Sequence, residues 1–402
     1  MTTLLSIGIA LALLLVLFCL VKWWNLRNVG VTPVHLFTFI AILFTSGLDV
    51  GLIMFPLTEF PVYADTATAP EYGFANPLAI EFGFWGFLIW AFYFLTAFYF
   101  CIVEPRVRFF EKPVVKIVNN AVIIGTCAFT GYLFLTYLPW YASGIIGDGE
   151  TLSWHFYAIV LATIALAAYS STDIKYVRIL SLASTWLFFA LILGMALAAA
   201  MGIDDLFATA SLAGEYFTNI HKFVLPLNDY HQFYLFWWFA WSIMIGQFTS
   251  RFVGGLKTWQ VFVSLLVFPS IPLLIWFSVL HFYWANELAT GGLIAISMLV
   301  VGVTFVINSL DSLIRLYTDN LGLTTERLGR LVYLGLNVAV LFGLVLLFKS
   351  GWMQIEWIGS VVIGIYFACV IYIALFKRRE VMAITASPED RDLDFQRIET
   401  VH

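Results

Sequence analysis

Apolar positions in this chain come in long unbroken runs, with polar residues gathered between them. Eleven such runs stand at roughly 3–24, 31–56, 79–103, 114–140, 153–172, 177–202, 230–250, 259–285, 291–316, 331–348 and 355–376. Each is about as long as a helix must be to cross a hydrocarbon core roughly 30 Å thick. A transmembrane β-barrel is excluded, because its strands alternate apolar and polar positions. The pattern predicts an all-α polytopic membrane protein with about 11 transmembrane helices.

Composition agrees: 62% of the 402 residues are hydrophobic, 11% are charged, and the mean hydropathy is +0.93. No soluble domain of this length carries such a balance. Charge adds orientation, because cytoplasmic loops are enriched in Lys and Arg. No basic residue precedes the first run, whereas Lys22 and Arg27 follow it, so it reads as a retained span with its amino terminus outside rather than a cleaved signal peptide. With that start and eleven crossings, only Lys222 and Lys349 of the 20 Lys and Arg residues fall outside, and the carboxyl terminus is cytoplasmic. A multi-pass protein of the plasma (inner) membrane is expected, with the lipid bilayer as partner and no nucleic-acid partner. The four cysteines all lie within apolar runs and the six histidines show no ligand spacing, so no disulfide framework or metal site of that kind is indicated.

Five organisational segments follow: a transmembrane helix at 1–24, five runs over 31–202, an amphipathic surface linker at 203–229, five more runs over 230–377, and a polar cytoplasmic tail at 378–402. An odd number of spans per half makes the halves enter the membrane from opposite sides. That is the inverted-repeat geometry of many secondary transporters, which bind substrate where broken helices meet.

Particular residues sharpen this. The second run is interrupted by Gly47, Asp49 and Gly51, where unwound backbone would offer carbonyls to a cation. Asp49, a carboxylate within a span, is costly unless it faces the bundle interior or water; a protonated or salt-bridged structural role is the alternative. At 100° per residue, Tyr234, Trp237, Trp238, Trp241 and Phe248 share an arc of about 100° on one helix, and Trp85, Trp90 and Tyr93 share about 140° on another. An interfacial aromatic belt covers only the end of the first stripe. Buried indoles and phenols need partners for their N–H and O–H groups, which makes them expensive filler. Ring faces attract a quaternary ammonium, and ordinary packing is the competing explanation. Asp311 and Arg315, four apart, read as a structural i,i+4 pair.

The run Asp229-Tyr230-His231-Gln232-Phe233-Tyr234-Leu235-Phe236-Trp237-Trp238, continuing through Ala240-Trp241-Ser242, Gly246, Arg251 and Gly254-Gly255, resembles the signature of the betaine/choline/carnitine transporter family. Trp85, Trp90 and Tyr93 match that family's aromatic box in spacing. Gly47-Leu48-Asp49-Val50-Gly51 with Thr58-Glu59-Phe60 is similar to its glycine stretch, and Val267-Phe268-Pro269-Ser270 to its next helix. The resemblance spans roughly residues 25–380. It implies a LeuT-like fold of inverted five-helix repeats, a homotrimer, and a substrate cage of Trp85, Trp90, Tyr93 and Trp238, with Trp237 and Trp241 along the same path. It also implies one sodium site near Thr45, Leu48, Phe305, Asn308 and Ser309, and a second using Thr126 and Thr130. This chain departs from the pattern in having one helix before the repeats, Asp49 in place of a glycine, Ile243 in place of a proline, and Asn308 where sodium-coupled members have Thr. An Asn carbonyl still suits a hard cation.

The resulting expectation is a secondary active transporter, not an enzyme, importing a quaternary ammonium compound or related osmolyte of betaine, choline or carnitine type by alternating access. Sodium or protons would drive it; no cofactor is expected beyond sodium as a coupling ion. No metalloprotease motif or nucleophile with a nearby base is visible. A non-transporting sensor with a transporter fold, or a carrier of a different amine or amino-acid-like solute, is the alternative.

Overall fold

A computed structural model describes residues 1–47, 51–143, 146–147 and 149–386. Its helices are α1 (Thr2–Trp23), α2 (Leu36–Gly47), α3 (Pro56–Ala64), α4 (Pro77–Trp85), α5 (Leu88–Phe98), α6 (Pro113–Tyr141), α7 (Trp154–Ser170) and α8 (Ile174–Ala198), followed by α9 (Ile203–Ser211) and α10 (Gly214–Phe223). Beyond these come α11 (Asp229–Thr249), α12 (Thr258–Ala285), α13 (Leu293–Leu321), α14 (Arg330–Lys349) and α15 (Ile355–Tyr372), with a few single turns between. The chain is an all-α polytopic membrane protein. Among the described residues, eight helical segments are long and apolar enough to cross a membrane. The shorter apolar helices Leu36–Thr45 and Trp154–Ser170, and the 21-residue α11, occupy the other three expected runs.

Burial sorts these helices. The signature helix α11 is enclosed along almost its whole length and packs against α5, α15, α2 and α6. By contrast α1, α8 and α14 keep Leu14, Leu17, Val21, Leu193, Leu197, Leu331 and Val332 on the outside, where lipid replaces water as the favourable neighbour. The closest approach on the interior side comes at Gly246 of α11: a Cβ there would stand 2.1 Å from the Thr96 hydroxyl of α5, which donates to the Ser242 carbonyl at 2.6 Å. Small residues at such crossings let helix backbones touch, which is how helices associate in lipid.

Two features go beyond the run pattern. The 77–107 segment is one span by length, yet its helix breaks between Trp85 and Leu88: Gly86 is extended at φ −96, ψ 167, and Phe87 has φ +36, a left-handed conformation unusual for a side chain of that size. In addition, the short strand β1 (Arg27–Val29) pairs antiparallel with β2 (Gly254–Lys257), and Gly30 N and Thr32 N extend the contact by donating to Val253 O and Arg251 O at 2.8 Å each.

Candidate functional site

The break at Gly86–Phe87 sets the aromatic geometry. Ending α4 at Trp85 turns that indole onto α11, where it meets Trp238 at 5.0 Å and Trp237 at 5.7 Å, edge to face in both cases. Trp237 and Trp238 stack at 4.7 Å, inclined by 16°. Tyr234 and Phe55 close the other sides, with Phe55 at 5.9 Å from Trp237. Each of these rings is buried. Trp238 Nε1 donates to Phe84 O at 2.9 Å, satisfying one of the carbonyls that the broken helix frees. Trp85 Nε1 and Trp237 Nε1 complete no hydrogen bond.

The remaining cage candidates fall into a second layer. Trp90 donates from Nε1 to Trp85 O at 3.1 Å and packs edge-on to Tyr93 at 5.2 Å, on the far side of the break. Trp241 is fully buried one turn along α11, and its Nε1 also lacks a partner. Asp49 and Leu48 lie outside the described residues.

Just after the interruption of the second run, buried backbone carbonyls are claimed by side chains from other helices. Trp276 Nε1 of α12 donates to Leu52 O at 2.8 Å, and the Tyr141 hydroxyl of α6 donates to Ile53 O at 3.1 Å and Met54 O at 2.7 Å. Irregular backbone inside a membrane protein persists only when its polar groups are met in this way. The linker helices hold the other side of the site: Asn76 caps α4 and is itself bound through Glu215 Oε2 at 2.6 Å and Leu212 O at 2.8 Å, while a Cβ on Gly83 would overlap the Phe223 ring at 2.2 Å.

The sodium candidates are placed as follows. Thr45 Oγ1 donates to Ala41 O at 2.8 Å, and its neighbour Phe44 contacts Phe305 at 6.0 Å, so α2 and α13 adjoin at that level. Asn308 accepts from Ser181 Oγ at 2.8 Å through Oδ1, leaving its Nδ2 without a partner; in this orientation the amide turns a donor rather than an oxygen to the remaining space. Ser309 is fully buried beside it. On α6, Thr126 Oγ1 donates to Val122 O at 2.9 Å, whereas Thr130 Oγ1, also buried, has no partner.

The expected Asp311–Arg315 pair does not form. Asp311 is buried and accepts from Ser170 Oγ on α7, while Arg315 reaches toward the helix end, 3.9 Å from Asp319, which also pairs with Arg251 at 3.3 Å. A guanidinium keeps its charge near water when the helix end is within reach, and that preference separates the two residues.

Comparison with known proteins fits this arrangement. An uncharacterized transporter of Haemophilus influenzae is 28% identical over 294 residues, covering 64% of this chain and 44% of that protein. A glycine betaine transporter of Bacillus subtilis is 23% identical over 287 residues, covering 61% and 54%. The chain is similar to betaine-type transporters. A glycine betaine/proline/choline transporter of Vibrio parahaemolyticus matches a shorter part, 29% identical over 126 residues, which is 29% of this chain and 22% of that one. No family model matches the chain. The chain spans about half the length of the first two of these relatives.

Sequence reasoning missed several residues that this betaine-type resemblance does not single out. Tyr141 and Trp276 look like ordinary apolar-run aromatics and became visible only through the carbonyls they serve. Glu59 stands in a motif stretch to which no role attaches, and Glu81 is a lone carboxylate in an apolar run; both are buried beside the aromatic cluster.

Proposed function

We propose that the chain is a secondary active transporter that imports a quaternary ammonium compound or related methylated osmolyte by ion-coupled alternating access. The observation that carries this is the meeting of Trp85 with Trp237 and Trp238, from helices about 150 residues apart, beside a broken helix. Stacked and edge-on indoles in a water-poor interior attract a cation that has no proton to donate, and separating the two helices would open a cage between them. Similarity to glycine betaine transporters supports the same substrate class.

In this reading the two five-helix halves form LeuT-like inverted repeats that rock about the cage, the protein sits in the plasma membrane with its amino terminus outside, and it assembles as a homotrimer. Trp90, Tyr93 and Trp241 line the path, and Asp49 is assigned the role of counter-ion to a substrate bearing net positive charge. Thr45, Ser309 and backbone at Leu48 and Phe305 offer oxygens of the kind sodium accepts. Asn308 would join them only with its amide turned over, and unpartnered Thr130 with Thr126 supplies a second set. Radiolabelled choline and betaine uptake into proteoliposomes under imposed sodium or pH gradients tests the proposal. Accumulation above equilibrium is expected; binding without translocation under any gradient would instead identify a sensor.

A further inference from the structure

Among the described residues, two carboxyl groups meet next to the aromatic cluster with no cation between them. Glu59 of α3, 4% exposed, accepts from Tyr63 at 2.7 Å, from Tyr234 at 2.8 and 3.1 Å to its two oxygens, and from Tyr230. Glu81 of α4, fully buried, lies against Glu59 and Tyr63, yet neither of its oxygens completes a hydrogen bond. One turn on, the fully buried Trp85 brings its indole N–H to the same carboxyl and also completes no bond. Unsatisfied acceptors and an unsatisfied donor therefore converge at one buried point.

Among the described residues, the groups facing this point from the packed elements are neutral. Tyr72 comes from the 70–72 turn, Tyr137 and Tyr141 from α6, and Tyr230 and Tyr234 from α11. His231 of α11 accepts from Leu227 N through Nδ1 at 3.1 Å, which leaves that nitrogen unprotonated. Glu71 lies beyond Tyr72 and is bound to Asn228. Among the described residues neither Glu59 nor Glu81 has an ion-pair partner.

Two ionised carboxylates cannot share such a place cheaply, since each loses its water and each repels the other across a weakly screening interior. A single proton removes the repulsion and gives the pair a donor. We propose that Glu59 and Glu81 form a proton-binding pair, with the proton on Glu81, which exchanges that proton when the adjoining aromatic cluster opens around a ligand. The assignment follows from the geometry of the donors: the hydroxyls of Tyr63, Tyr230 and Tyr234 each complete a hydrogen bond to Glu59, and neither oxygen of Glu81 completes one, although Tyr63 and Trp85 stand close to it. Because Trp85 belongs to both the pair and the cluster, ligand entry and proton exchange are mechanically linked. This linkage rests on the transport reading, whereas the pair itself does not.

The test uses the full chain purified in detergent. Tryptophan emission, titrated without ligand between about pH 5 and pH 9, reads the pair through Trp85; a transition of on the order of one proton is expected. It should vanish in Glu81→Gln and shift in Tyr234→Phe. Calorimetric titration with choline in buffers of different ionisation enthalpy should then show proton exchange in the wild type and none in Glu81→Gln. A wild type without a transition, or a Glu81→Gln titration superimposable on it, overturns the pair. If Glu81→Gln fails to fold, labelling of the wild type by dicyclohexylcarbodiimide, which attacks protonated carboxyls in apolar surroundings, decides the matter: an adduct on the 77–85 segment that fades as pH rises supports the pair, and no adduct overturns it. A clear emission transition with no choline or betaine binding leaves the pair standing and removes the transport reading.

Discussion

Replacing Trp238 separates what the aromatic cluster does for itself from what it does for a ligand. Its indole stacks on Trp237 at 4.7 Å, meets Trp85 at 5.0 Å and donates from Nε1 to Phe84 O at 2.9 Å. In Trp238→Phe a ring face survives but the donor is lost, so the Phe84 carbonyl is left unpaired in the last turn before the break, a cost of about 1–3 kcal/mol in stability. In Trp238→Ala the face is lost as well. The ring contacts with Trp237, Trp85 and Tyr234, each about 0.5–1.5 kcal/mol beyond their buried area, go with it. A bound quaternary ammonium would lose a desolvated cation–π contact of about 1–2 kcal/mol, or about five- to thirtyfold in affinity. The phenylalanine variant should therefore bind almost as well as the wild type while melting earlier, and the alanine variant should fail on both counts. Isothermal titration with choline and betaine, beside thermal unfolding in detergent, measures the two effects independently. An alanine variant that binds either ligand like the wild type would refute the cage, whatever its melting temperature.

Other expectations are more local. Gly246→Ala should cost about 1–3 kcal/mol of stability by forcing α11 away from Thr96, whereas the lipid-side Gly194→Ala, with open space around it, should be neutral or slightly stabilising; unfolding midpoints compare them. Asn228 Nδ2 donates to Glu71 Oε1 at 2.6 Å and holds that carboxyl below its usual range. A depressed folded value means that this contribution is present above the ordinary glutamate range and is lost as pH falls through the lowered one, so the stability gap between wild type and Glu71→Gln should narrow from about pH 5 to about pH 3. Ser309→Ala should raise the sodium concentration for half-maximal uptake if α2 and α13 hold the ion; uptake that ignores sodium and follows a pH gradient would place the driving force on protons instead.

The membrane-spanning character was legible because twenty-residue apolar runs leave few alternatives, and the Trp237–Trp238 stripe because helical spacing alone brings those residues to one face. The break at Gly86–Phe87 was not. Phe87 carries the positive φ, and no composition signal marks an aromatic residue as left-handed. Convergence of Glu59 with Glu81 was equally hidden, since it depends on how α3 folds back on α4 and not on any spacing along one helix. The Asp311–Arg315 expectation shows the limit of spacing in the other direction: Arg315 has a carboxylate four residues away on either side and takes Asp319, toward the helix end, while Ser170 of α7 takes Asp311. The 203–229 stretch reads as one amphipathic segment and folds as α9 and α10, separated at Leu212–Ala213. Strands of three and four residues are too short for alternation to reveal.

That small ladder has a consequence for how the protein is made. Chains emerge amino terminus first, and each helix can enter the bilayer soon after it leaves the ribosome. The strand Arg27–Val29 is synthesised early, but its partner Gly254–Lys257 follows more than two hundred residues later. Until then the ladder edge of that strand stays unpaired, although Trp23 at the end of α1 already has Phe98 of α5 to stack on at 5.3 Å. Completion of α11 and the turn after it is thus the moment at which the segment that follows α1 gains its strand partner. A pulse-labelled nascent chain truncated shortly before residue 254 should show residues 27–30 open to protease, and one extended past α12 should show them closed.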